Sequence, residues 1–185
     1  MIELNDITVQ YGTHLILNHF SASIPFNGTT AIFGPSGSGK TTLLRVLVGL
    51  IRPDYGRING LEALKIAVVF QEDRLLPWLT ALENIAIVSD QQSAQKYLEQ
   101  IGLIGAANQR PAALSGGMKR RVALGRALAY GGDLLLLDEP FNGLDEVAKK
   151  MVADSILATQ LPVIVVTHDH TEAELLRAEQ YLTIQ

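Results

Sequence analysis

At 185 residues, 48% of them hydrophobic and 18% charged, the chain suits one domain with a sizeable core, and having no cysteine it owes nothing to disulfides or thiol chemistry. Fifteen Lys and Arg against nineteen Asp and Glu give a net charge of −4. The basic residues are scattered apart from Lys119, Arg120 and Arg121, which excludes whole-chain attraction to nucleic acid or anionic lipid.

The opening MIELNDITVQ lacks the positive and apolar regions of a secretory signal, and no apolar run approaches the ~20 residues that span a bilayer, so the expected compartment is the cytoplasm. Alternation at Ile2 and Leu4, then at Ile7 and Val9 after a phase change near Asn5-Asp6, predicts a half-buried strand. Leu15 and Leu17, then Phe20, Ala22 and Ile24, predict a second, both as antiparallel edge pieces. Thr29 to Phe33 is a short apolar strand closed by Gly34, and Thr41 to Leu50 reads as a helix buried on most sides. A turn cluster, Pro53-Asp54-Tyr55-Gly56, precedes strand-like pieces at Arg57 to Asn59 and Ile66 to Phe70. Thr80-Ala81-Leu82-Glu83 is a capping box opening a helix to about Val88, and a second helix around Gln92 to Ile101 stops at Gly102. Ser115 is the predicted N-cap of a helix to about Tyr130, ended by Gly131-Gly132. Leu134 to Leu137 and Val163 to Val166 are fully apolar strands. Between them Val147, Met151, Val152 and Ile156 mark one helical face, and Thr171 to Glu174 form a second capping box.

This order predicts an α/β fold with a mainly parallel, two-sided sheet and a small antiparallel β part on the N-terminal side. The expected organisation is a single domain, 1–185. Residues 1–70 and 115–185 form its core, and about 71–114 form a compact helical insertion.

Gly34-Pro35-Ser36-Gly37-Ser38-Gly39-Lys40-Thr41 fits G-x-x-x-x-G-K-[ST], a loop whose backbone N–H groups close around phosphate oxygens at a helix N-terminus. Lys40 is the residue to reach the β- and γ-phosphates, Thr41 the Mg²⁺ ligand and Thr42 a support for the α-phosphate. The expected core is therefore that of a P-loop NTPase, binding a nucleotide with Mg²⁺, and the loop alone leaves a GTPase, a small-molecule kinase, a helicase or a transporter ATPase open. An apolar strand ending in Asp138-Glu139 sets one carboxylate beside the Mg²⁺ shell and lets Glu139 polarise a water for attack on the γ-phosphate.

Leu114-Ser115-Gly116-Gly117-Met118 narrows the reading. With Tyr11, the P-loop, Gln71, Asp138-Glu139, Asp145 and His168 in this order, essentially the whole chain resembles the ATP-binding cassette (ABC) ATPase family. The resemblance implies a head-to-tail dimer, a homodimer or paired cassette, in which Ser115, Gly116 and Gly117 of one subunit close over the nucleotide on the other's P-loop. Their local logic agrees, since a Ser-capped helix with two bare glycines is a second anion site. By the same resemblance Tyr11 stacks on adenine, the alternative being a surface tyrosine on an edge strand. Gln71 meets Mg²⁺ or the attacking water, His168 bonds a γ-phosphate oxygen, and Asp145 communicates across the dimer or serves as a plain N-cap.

Met118 and Arg120 stand where the family most often has Gln, and Asn142-Gly143 replaces a commoner Ser/Gly-Ala pair. With a short Gly56 to Phe70 segment and an early end after His168, the expectation is a near-minimal cassette without a regulatory tail. The stretch from Gln71 to Leu79, Leu-Leu-Pro-Trp-Leu within it, is where transport cassettes receive a membrane permease. Its wording looks like the bacterial importer branch for nitrate, sulfonates and taurine, which adds a solute-binding protein as an indirect partner and places the chain at the cytoplasmic face of the membrane. The competing occupant of Leu75 to Leu79 is the protein's own core. The competing class, a non-transport cassette ATPase acting on nucleic acid, ribosomes or assembly, usually carries a coiled coil, tandem cassettes or a basic surface, none of which appears.

Overall fold

A computed structural model of the chain describes residues 1–184. Strands β1 (Ile2–Tyr11) and β2 (His14–Ile24) pair antiparallel, and β4 (Tyr55–Asn59) pairs on the other side of β1. The phase changes in their alternation are bulges. Asp6 and His19 stand at φ 59° and 49° with breaks in register beside them, and an extra residue of this kind returns the next side chains to the inner face. Ile2, Leu4, Ile7, Val9, Leu17 and Ile24 are accordingly buried, whereas Leu15, expected inward, is exposed.

The second sheet has five parallel strands in the order β5-β6-β7-β3-β8. Those anticipated from sequence are β3 (Thr29–Phe33), β5 (Ile66–Val69), β6 (Leu134–Asp138) and β7 (Val163–Val166). β6 and β7 are buried on both faces, which is why their sequences are unbroken apolar runs. On one side Ile32, Leu134, Leu136, Ile164 and Val166 pack with the antiparallel sheet and α1 (Lys40–Leu47). On the other, Ala31, Leu135, Leu137, Val163 and Val165 pack with later helices. The sequence reading lacks β8 (Ala178–Thr183), an edge strand beside β3 with every second residue exposed.

Helices α2 (Ala81–Ala86) and α3 (Gln91–Gln100) make up the insertion, followed by two short 3-10 turns. Their core, around Ile85, Leu98 and Ile101, also takes in Leu114 and Val122. Val122 lies on α4 (Gly116–Tyr130), whose Leu124 and Leu128 face the parallel sheet. One helix therefore joins insertion and sheet. The Thr80–Glu83 capping box is present in both directions, at 3.2 and 2.8 Å.

Two helical expectations change. In α5 (Glu146–Leu157) the inward residues are Ala148, Val152 and Ile156, and Val147 is 74% exposed. In α6 (His170–Leu175) the cap is Asp169, which accepts from Thr171 N at 2.8 Å, so the box expected from Thr171 to Glu174 does not form. Asp169 wins because its carboxylate reaches the first free N–H groups one turn earlier. Among the described residues no helix is long and apolar enough to cross a membrane.

Candidate functional site

The C-terminal ends of parallel strands share one edge of a sheet, and ligands bind outside it. Here Ile32 of β3 and Asp138 of β6 both pair with Val166 of β7, and Val69 of β5 pairs with Leu137. The segments that follow therefore emerge together: the glycine loop after β3, Gln71 after β5, Glu139 after β6 and His168 after β7.

The loop turns into α1 through Gly39, at φ 95°, where an added Cβ would lie 2.9 Å from Leu17 Cδ2 and 3.0 Å from Ile16 O. Only glycine suits both constraints. α1 has no side-chain cap, whereas Thr80, Asp90, Ser115, Asp145 and Asp169 cap the other α-helices. Its first N–H groups, at the positive end of the helix dipole, are thus left for an anion. Lys40 donates to Gly34 O and Pro35 O, both at 2.8 Å. Two of an ammonium's donors thereby brace the loop from inside.

Thr41 Oγ1 donates to Asp138 Oδ2 at 2.7 Å. Both belong to a cleft of about 320 Å³ whose walls include Ile16, Lys40, Gln71 and Glu139. Burial pushes the Asp138 carboxyl above the usual carboxylate range, against the pull of the Thr41 hydroxyl, and the neighbouring Glu139 pushes the same way as burial. Among the described residues no cluster of three or more His, Asp or Glu is arranged for a metal. A hydroxyl and one carboxylate beside a phosphate cradle are nevertheless the oxygen donors Mg²⁺ takes when phosphates and water complete its shell.

Glu139 stands at φ 47°, a conformation that costs a non-glycine residue about 1–3 kcal/mol and persists only where neighbours enforce it. Its N–H donates to Val166 O at 2.9 Å and its carbonyl accepts from Asn142 N at 3.2 Å. Its Oε1 lies 3.3 Å from Nδ1 of the exposed His168, and the two line an adjoining hollow with Asn142 and Gly143. A carboxylate so held, next to a phosphate cradle, can accept a proton from a water attacking the terminal phosphate.

The structure thus brings Gly34 to Thr42, Gln71, Asp138, Glu139 and His168 together. Ser115 and Gly116 are exposed outside this cleft, with Ser115 Oγ accepting from Met118 N at 3.2 Å. Asp145 caps α5 by accepting from Ala148 N at 2.8 Å. Tyr11, 48% exposed at the end of β1, is not among the cleft's walls either.

The sequence model described as "ABC transporter" matches residues 17–142. The chain belongs to the ABC transporter family. It is 38% identical to an aliphatic sulfonates import ATP-binding protein of Escherichia coli, over 98% of this chain and 76% of the relative. It is 41% identical to a protein of the same name from Paraburkholderia xenovorans, over 93% and 72%. Among solved structures, the ATP-binding cassette MJ0796, a dimer in a post-hydrolysis state with ADP and Pi, superposes with a TM-score of 0.88 at 30% identity, covering 100% of this chain and 94% of that one. This ABC cassette is thus an ATP-binding ATPase, as its motifs imply.

Three structural features of the cassette lie outside the sequence reading. Ile16 lines the cleft, because the β1–β2 pairing sets the register. Asn84 is fully buried; it accepts from Leu76 N and donates to the carbonyls of Leu76, Leu79 and Thr80, holding the loop that leaves Trp78 65% exposed. Arg120 is 3% exposed and binds main-chain oxygens at the ends of β5 and β6. The last two act on backbone atoms, for which sequence carries no pattern; the only signal was Arg in a position where the family pattern has Gln.

Proposed function

We propose that this cassette binds Mg–ATP in the cleft between α1 and β6 and hydrolyses it between two copies, Ser115, Gly116 and Gly117 of one facing the nucleotide on the other. The observation that carries the reading is the Thr41–Asp138 pair beside the uncapped end of α1, with Glu139 and His168 in contact next to it. The backbone of Gly34 to Lys40 holds the phosphates, Lys40 the β- and γ-groups and Thr42 the α-phosphate. Thr41, Asp138 and Gln71 would hold Mg²⁺, which would neutralise charge building on the phosphates. Glu139 orients the attacking water and takes its proton, and His168 steadies Glu139 and donates to a γ-phosphate oxygen. Tyr11 is assigned to adenine contact with Ile16, and Asp145 to the dimer contact.

We further assign the cassette to an importer of small anionic solutes. Relatives named for aliphatic sulfonates import support this, as does the exposed Trp78 beyond Gln71, offered to a permease at the cytoplasmic face of the membrane. A solute-binding protein would act on the far side. Glu139→Gln should keep ATP affinity within about twofold and lose turnover by about 10²–10⁴-fold, while Lys40→Ala should weaken both binding and turnover. Wild-type turnover in Glu139→Gln would defeat the assignment.

A further inference from the structure

Arg120 is a buried cation that the proposed chemistry leaves unused. It lies on α4 little more than a turn beyond Ser115. Its Nη1 donates to Phe70 O at 2.5 Å and to Gln71 O at 3.3 Å, Nη2 donates to Glu139 O at 2.7 Å and also to Asp138 O, and Nε donates to Pro140 O at 3.2 Å. Nη1 also lies 3.4 Å from Asp73 Oδ1. One guanidinium therefore gathers the C-terminal ends of two neighbouring strands, and three of the oxygens it binds belong to Gln71, Asp138 and Glu139. Farther along α4, Arg126 donates to the carbonyls of Asp73 and Arg74, at 3.0 Å each, so the whole segment after β5 is tied to this helix.

The side-chain chemistry is specific. Guanidinium offers five N–H donors in a rigid fork and stays charged when buried, glutamine offers two, and lysine has three on a flexible stem without the fork. Burial pushes the Arg120 guanidinium down and the carboxylates of Asp73, Asp138 and Glu139 push it back. The left-handed backbone of Glu139 is a conformation that needs enforcing, and Arg120 grips its carbonyl.

We propose that Arg120 is a positioning residue for hydrolysis: from α4 it fixes the main chain at Gln71 and Glu139, so that both side chains depend on the seat of the helix whose first turn meets the partner's nucleotide. The inference rests on Glu139 being the water-orienting group. It extends that reading by giving each site a mechanical link to the nucleotide held by the other subunit.

The test compares Arg120→Gln and Arg120→Lys with wild type and with Glu139→Gln. Binding is followed with a fluorescent ATP analogue, turnover by phosphate release, and backbone opening by amide hydrogen exchange. Both Arg120 variants are expected to bind the analogue within about twofold of wild type while kcat falls about ten- to hundred-fold, the scale of a small misplacement of reacting groups. Exchange should quicken at 70–74 and 138–142, and Lys should restore kcat only in part. Wild-type kcat in both, with Glu139→Gln inactive, would overturn the role of Arg120 alone. Loss of binding and turnover together with the fold in both variants would make Arg120 merely structural and equally reject it. Full turnover in Glu139→Gln would instead remove the reading beneath, and this inference with it.

Discussion

At Asp138 the proposed role and the stability of the fold pull in opposite directions. It is 1% exposed, and burial raises its carboxyl affinity for a proton, so the fold disfavours the charged form that the proposed Mg²⁺ contact would need. Because the folded-state pKa lies above the unfolded one, the stability deficit is full at pH above the raised value. It shrinks as pH falls through that value and is gone below the ordinary carboxylate range. Asp138→Asn, which keeps an oxygen to accept from Thr41, should therefore melt above wild type at neutral pH. The gap should close on acidification, and ATP turnover should be lost. Calorimetry across pH on the nucleotide-free protein measures it, and an unchanged or lowered Tm at pH 7 would contradict it. That Lys40, Thr41, Asp138 and Glu139 gather in one cleft was legible because phosphate chemistry needs these residue types at fixed spacing. Arg120 was not, because its partners are carbonyl oxygens that every residue carries.

The loop from Leu75 to Leu79 divides two functions that sequence left open. Leu75 packs against both the sheet core and the insertion core, while Trp78 stands out into solvent on a loop that Asn84 fastens through Leu76 and Leu79. Trp78→Ala should leave Tm within about 1–2 °C, as surface changes do, and the lone tryptophan should emit as a solvent-exposed indole. Asn84→Ala should lower stability by about 1–3 kcal/mol through unpaired buried groups. A large fall in Tm for Trp78→Ala would return the loop to the core and remove the proposed permease contact. Elements followed the same division in legibility. Apolar runs and the Thr80 box were readable because burial on both faces and capping leave local patterns. Edge strand β8 was not, since alternating exposure in a short segment gives no continuous apolar signal, and the inward face of α5 was set by packing that excludes Val147.

At the scale of the whole molecule, the P-loop cleft and the Ser115 helix lie apart in one chain, and only a second copy could unite them as proposed. The two glycines after Ser115 differ in a way that makes this testable. A Cβ on Gly117 would meet Gly143 O of its own chain at 2.8 Å, whereas nothing lies within 4 Å of one on Gly116. Gly116→Asp can therefore add negative charge at the helix N-terminus, where phosphate is expected, without disturbing the fold. The deciding measurement is light scattering on Glu139→Gln with and without Mg–ATP, alone and combined with Gly116→Asp. Glu139→Gln should have a mass near 20.1 kDa without nucleotide and about twice that with ATP, and should stay at the monomer value when Gly116→Asp is added although ATP still binds. An equal ATP-dependent dimer in both proteins, or no dimer in Glu139→Gln at saturating ATP, would contradict it.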